Sequence, residues 1–328
     1  MRTLVTGSAG HLGEALVLSF RSARRDVLGI DLKPSAYTDA VGSIVHRQFV
    51  RECMRGVDAV VHTATLHKPH VATHSRQAFV DTNVTGTLTL LEEAAAAGVQ
   101  RFIFTSTTST FGAAMTPPAS APAAWIDEDV VPIPKNIYGV TKLAAEELCR
   151  LFHWNEDLSC VVLRTSRFFP EPDDRADVRA AYDDANAKIN EFLYRRVDIE
   201  DVVSAHLLAL ERCRDIGFGC YIISATTPFT TGDLAALRTD ASSVVRRLYP
   251  DFERVYAARG WRMFPSIDRV YDNTRARNAL GWQPAHDFAA VLERLRRGDD
   301  PRSALARRIG AKGYHDRTFG EVPYPVDR

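Results

Sequence analysis

The chain has few cysteines, and none are spaced as a pair. Five thiols (Cys53, Cys149, Cys160, Cys213 and Cys220) are scattered over 328 residues, odd in number and without a CxxC motif. That pattern points to reduced thiols in a cytoplasmic protein. Excess charge of either sign is also missing. The 41 basic and 41 acidic side chains cancel and the sequence pI is about 7.2, so nothing marks the chain for nucleic acid. No apolar run is long enough to span a bilayer. The opening residues pass straight into a strand, Arg2-Thr3-Leu4-Val5, without the basic and apolar stretches of a secretory leader. Internal repeats and low-complexity tracts are absent. What is present is a chain 45% hydrophobic, long enough for one large domain or a domain with a lobe.

The first half alternates short apolar runs with helical patterns. Leu4-Val5-Thr6 reads as a strand, residues 12–22 as an amphipathic helix, 26–30 as a second strand reaching Asp31, and 58–62 as a buried strand. A helix over 82–97, a strand over 101–105, a helix over 138–153 and a strand over 160–163 follow. This alternation predicts an α/β fold, a doubly wound parallel sheet with helices on both faces. The second half is less regular: a helix is expected over 198–210, a strand over 219–223 and a helix from 231. The Pro- and Ala-rich stretch 116–124 reads as a loop near the mouth of a site.

The junction of the first strand and helix reads Thr6-Gly7-Ser8-Ala9-Gly10-His11-Leu12-Gly13. A GxxGxxG turn there suits a dinucleotide pyrophosphate. Gly7 permits the tight turn, Gly10 lets the backbone approach the phosphates, and Gly13 lets the helix pack on the sheet, while the helix N-terminus offers N–H groups and a positive dipole end. Asp31 would accept hydrogen bonds from ribose hydroxyls and repel a 2′-phosphate, favouring NAD; Lys33 nearby keeps NADP open.

Farther on, Tyr138 and Lys142 share a helical face at i and i+4. A phenol with a pKa of about 10 is a poor base near neutral pH. A neighbouring ammonium and a nicotinamide cation would lower that value. The hydroxyls of residues 105–109 end the preceding strand and offer a donor to a substrate oxygen.

Together these residues resemble the extended short-chain dehydrogenase/reductases, the NAD-dependent epimerase/dehydratase group. The likeness covers residues 1–170, 196–210 and the segment Leu280-Gly281-Trp282-Gln283-Pro284. Its motifs match the three glycines, Val61-His62-Thr63-Ala64, Asn83-Val84-Thr85-Gly86-Thr87, the hydroxyl-rich run up to Phe111-Gly112, and Tyr138 with Lys142. The resemblance implies a Rossmann fold with a small C-terminal substrate lobe. Residues 1–165 would form the NAD domain and 166–328 mainly the lobe, with 196–224 returning to the first domain. It implies NAD held by Gly7, Gly10, His11, Leu12, Gly13, Asp31, Ala64, Asn83, Tyr138 and Lys142. Tyr138 would be the acid/base, Lys142 its electrostatic partner and Thr107 the donor to the substrate oxygen, with Thr108 beside it. It requires no metal, and it implies a homodimer through helices near 83–97 and 138–153.

Four departures from the pattern bear on the substrate. Gly42-Ser43 stands where an adenine-contacting acid is common. Thr108 and Ser109 replace the Asp-Glu pair that dehydratases use for water elimination, which disfavours dehydration. Arg167 replaces a substrate-facing Asn, and either binds a carboxylate or phosphate or pairs with Asp173 or Asp174. Residues 171–195 are too short for the usual nucleotide clamp. His67, His70 and His74 have a spacing that could bind metal on a helix, but Pro69 interrupts one, so a pocket wall or polar loop is expected. The reading is therefore a cytoplasmic NAD-dependent oxidoreductase acting on a secondary hydroxyl of a sugar or sugar derivative. A UDP-sugar 4-epimerase with retained NAD and a non-enzymatic NAD sensor remain alternatives.

Overall fold

The computed structural model describes residues 1–313. Its main sheet has seven strands in the order β3-β2-β1-β4-β5-β7-β8. These are β1 (Thr3–Thr6), β2 (Val27–Asp31), β3 (Ala40–Val41), β4 (Ala59–His62), β5 (Arg101–Thr107), β7 (Ser159–Thr165) and β8 (Phe218–Ile223). Every pairing is parallel. A second, two-stranded sheet pairs β6 (Ala124–Ile126) with β9 (Arg269–Tyr271).

Parallel strands buried on both faces need apolar runs, and β1, β4, β5 and β7 supply them with Leu4, Val5, Val60, Val61, Phe102, Ile103, Val161 and Val162, all fully buried. One face packs on the helices His11–Ser22, Ile199–Ile216 and Ala304–Ile309. The other packs on Gly86–Ala96 and Ile137–Glu156. A separate core built around Phe252, Tyr256, Phe288 and Leu292 underlies the smaller lobe. Between β1 and β4 the strand order reverses direction, which opens a crevice at the carboxyl edge of the sheet. The last residues of β1, β4, β5 and β7 all end on that edge.

The expected helix over 82–97 does not begin as an α-helix. A short helix Arg76–Phe79 runs into a π-helical turn, Val80–Thr85, and only then into Gly86–Ala96. Strand β3 is two residues long, and β6 meets β9 across 145 residues of chain, so neither leaves a local period to read. No described helix is long and apolar enough to cross a membrane.

Candidate active site

Gly7 follows β1 with φ +73. A methyl on it would lie 2.8 Å from the Ala64 nitrogen after β4, so only glycine lets the two loops meet across the crevice. A Cβ on Gly13 would sit 1.9 Å from the Gly7 carbonyl oxygen and 2.5 Å from its carbon. The helix thus presses its first turn directly onto the glycine loop. A Cβ on Gly10 would meet only the Gly7 oxygen, at 3.3 Å, leaving that side open for close approach. Asp31 ties the loop to β2: its Oδ2 accepts the Ala9 N–H at 3.0 Å and its Oδ1 accepts the Lys33 N–H at 2.8 Å. Each oxygen keeps a lone pair for a ribose hydroxyl. This set of donors, acceptors and clearances fits a dinucleotide.

Thr6 and His62 brace the crevice from below. Thr6 Oγ1 accepts the N–H groups of Thr63 and Ala64, both at 3.1 Å, and donates to His62 Nδ1 at 2.7 Å. His62 Nε2 lies 3.0 Å from Thr87 Oγ1, which donates to the Asn83 carbonyl. These roles fix the proton on Nε2, and burial holds the imidazole neutral, far below its usual pKa.

Two side chains expected to contact the cofactor are already engaged. Asn83 Oδ1 accepts from Leu66 N (2.8 Å) and Thr65 Oγ1 (3.0 Å), while its Nδ2 donates to Leu66 O (2.9 Å) and Thr141 Oγ1 (3.0 Å). All four bonds an amide can make are thereby spent on protein, so the Asn83 side chain anchors the loop after β4. The His11 imidazole is turned to Glu171, 3.0 Å away, and packs edge-on against Phe169; only its main chain belongs to the phosphate turn.

Asn136 caps the helix Ile137–Glu156 by accepting the Gly139 N–H at 3.1 Å. That cap starts the helix one residue before Tyr138. Gly112, with φ +50, lets residue 133 approach so closely that a Cβ would lie 1.9 Å from the Ile133 oxygen. The approach seats the helix start against the end of β5. Tyr138 and Thr107 are then brought side by side, and both are buried. Lys142 is 2% exposed, with Nζ 3.8 Å from the Phe104 ring centroid. Thr108 is buried in the 3-10 turn that follows Thr107.

The phenol does not shift as the sequence suggests. Burial pushes Tyr138 up to about 12, opposed by the neighbouring Thr107 hydroxyl. Burial also pulls Lys142 down to about 7, opposed by Glu146 and Cys149. Loss of water from both groups outweighs the help the ammonium was expected to give. The sequence reading also missed Glu146. It is 3% exposed and bonded to Ser106 and to both Nε and Nη2 of Arg164. The recoverable signal was spacing, with Tyr138, Lys142 and Glu146 at successive i+4 steps.

Arg167 follows β7 and pairs with Asp173 at 2.8 Å, while Arg195 holds the same carboxylate at 2.7 Å. Of the two roles the sequence left open, pairing is the one seen; the guanidinium is not presented bare to a substrate. Lys68 pairs with Asp174, which is drawn down to about 2 by Lys68 and Arg167 against burial. His67, His70 and His74 meet edge-on in a row beside Phe169, with ring centroids 4.7 and 5.0 Å apart. Among the described residues the set with metal-ligating proximity is instead Asp198, Glu200 and His286. Its Asp198 is occupied in capping, taking Glu200 N at 2.8 Å and Ser303 Oγ at 2.6 Å. All five cysteines are free thiols.

A glycine turn at the switch point of a parallel sheet, with a Tyr–Lys pair and a hydroxyl donor at the same edge, defines an NAD-dependent enzyme of the extended short-chain dehydrogenase/reductase type. The model of the NAD dependent epimerase/dehydratase family matches residues 3–220, and the chain belongs to that family. A UDP-glucose 4-epimerase of Rhizobium meliloti is 28% identical over 324 residues, covering 88% of this chain and 94% of that protein. An NAD-dependent glucose-6-phosphate dehydrogenase of Haloferax volcanii is 30% identical over 49% of this chain and 66% of that protein. Among solved structures, a short-chain dehydrogenase/reductase superfamily protein from Agrobacterium tumefaciens with bound NAD has a TM-score of 0.64 and 28% identity, covering 94% of this chain and 99% of that one. The cofactor is NAD.

Proposed function

We propose that the protein catalyses reversible hydride transfer between NAD and the carbon of a secondary hydroxyl on a sugar or sugar derivative. The observation that carries this reading is the buried Thr107 beside Tyr138, with Lys142 one helical turn on, all at the edge where the glycine loop opens. When bound, NAD supplies the hydride acceptor and donor. Tyr138, as the phenolate, takes the hydroxyl proton and, as the phenol, returns it in the reverse direction. Thr107 orients the oxygen, and Lys142 supports the phenolate form of Tyr138. Thr108 and Ser109 cannot serve as elimination acids near neutral pH, so the reading does not extend to dehydration.

Two observations pull toward different substrates. Asp173 clamped between Arg167 and Arg195 closes the short 171–195 segment on itself, which supports a free sugar or sugar acid. A relative that aligns over 94% of its own length is a UDP-glucose 4-epimerase, which supports a UDP-sugar and retained NAD. Denaturing the purified protein and assaying the released nucleotide decides between them. Stoichiometric NAD or NADH favours the epimerase; an empty protein that reduces added NAD with sugars or sugar acids favours the dehydrogenase. Tyr138→Phe should abolish turnover with either substrate while sparing NAD binding, and near-normal turnover would sink the whole reading. We further assign residues 166–328, apart from 196–224, mainly to a substrate lobe. The free thiols support a cytoplasmic location. A homodimer is supported by Val140, Leu151 and Trp154 on the Ile137–Glu156 helix, which are 50%, 45% and 71% exposed.

A further inference from the structure

We propose that Glu146 is a positioning residue for the Tyr138–Lys142 pair, locking the helix to the two strands beneath it and supplying the counter-charge for the Lys142 ammonium. The inference rests on the reading of Tyr138 and Lys142 given above. Three observations carry it. Glu146 lies one helical turn beyond Lys142 on the same face. Its carboxylate binds the Ser106 hydroxyl, immediately before Thr107 on β5. It also binds Arg164 on β7, with Nη2 to Oε2 at 2.7 Å and Nε within 3.1–3.2 Å of both oxygens. Thr165 closes the circuit by donating to the Ser106 carbonyl at 3.0 Å. One buried carboxylate thus joins the helix of Tyr138 and Lys142 to the strand of Thr107. Arg164 in turn stacks on Phe111, 4.9 Å from its centroid, next to the Gly112 hinge that seats the helix start.

The charged and titratable groups around the pair come from every neighbouring element. Cys149 lies on the same helix and acts on Lys142; His62 on β4 is held neutral partly by Lys142. Arg164 on β7, Cys220 on β8 and Glu128 in the loop after β6 surround Glu146 and its partner. Among these, Glu146 is the leading group that opposes burial and favours the protonated lysine. Arg164 restrains Glu146 geometrically and prevents an uncompensated buried anion.

The test uses a readout that needs no substrate. The chain has six lysines (Lys33, Lys68, Lys135, Lys142, Lys188 and Lys312), so lysine-selective carbon-13 NMR of the full chain can follow each titration, with Lys142→Met assigning the resonance. Wild type should titrate near the value of about 7. In Glu146→Gln the Lys142 midpoint should fall by about half a pH unit or more, since losing an opposite charge nearby disfavours the ammonium. Glu146→Asp should restore most of it. Because Glu146→Gln leaves Arg164 unpaired, the double variant Glu146→Gln/Arg164→Gln is the companion that preserves packing. It should keep the lowered midpoint. A wild-type midpoint in a folded single or double variant overturns the proposal, whatever the substrate proves to be. If the Lys142 midpoint moves as expected but Tyr138→Phe retains turnover, the functional reading fails and the electrostatic role of Glu146 stands.

Discussion

Replacing Lys142 by Met should make the protein more stable and inactive. Lys142 is 2% exposed, and folding moves its pKa from 10.5 to about 7. At pH 7 the unfolded chain holds the proton almost fully and the folded chain about half, so ionisation there costs ~4 kcal/mol at ~1.36 kcal/mol per pH unit. The sign follows from proton counting. Between about pH 7 and 10.5 the unfolded state binds more protons, so stability rises with pH across that window. Below it both states are protonated and the full penalty persists. Above it both are neutral and the penalty is gone. Met fills similar space with a flexible apolar chain, and Glu146 keeps Arg164 as a partner. The variant should therefore gain about 2–4 kcal/mol at pH 7 and close to nothing at pH 10.5, the lower figure allowing for imperfect repacking. Urea unfolding of both proteins at several pH values measures this. A variant no more stable than wild type at pH 7, or a gain independent of pH, would refute the reasoning. Such a result would mean that Lys142 is hydrated or otherwise paired.

Three other substitutions probe separate parts of the site. Gly13→Ala puts a carbon 1.9 Å from a main-chain oxygen that cannot swing away, so the loop must open; NAD affinity by calorimetry should fall at least about tenfold, ~1.4 kcal/mol. Asn83→Ala strands the N–H of Leu66, whose carbonyl keeps the Thr65 hydroxyl, and should cost about 1–3 kcal/mol in denaturant unfolding, with weaker NAD binding as the loop after β4 loosens; unchanged stability would show that water takes over that bond. Trp154→Glu, on a residue 71% exposed, should leave the fold intact and convert the proposed dimer to a monomer in light scattering, whereas an unchanged mass would remove that helix face from the proposed assembly.

What could be read from the sequence followed the range of the interactions involved. The buried strands and the Tyr138 helix were readable because an apolar run or a 3.6-residue period is a local property. Gly7 and Gly13 were readable because a strand–glycine–helix junction has one physical use that fits all three positions. Strands β6 and β9 were not, because three residues each pair across the chain and carry no period of their own. The electrostatics failed for a related reason. Tyr138 and Lys142 are neighbours in sequence, so their attraction could be anticipated, but burial is a sum over the whole fold. Phe104, Thr107 and His62 come from β4 and β5 and close over the pair. That enclosure reverses the expected shift of the phenol and leaves Lys142 poised near neutral pH. Arg167 shows the same limit from the other side: the residue type allowed two roles, and the choice was made by Asp173 and Arg195, brought beside it by a fold in the intervening segment. Spacing proposes which groups can act; long-range burial and pairing decide the charge with which they do so, and in this site Glu146 is where the two meet.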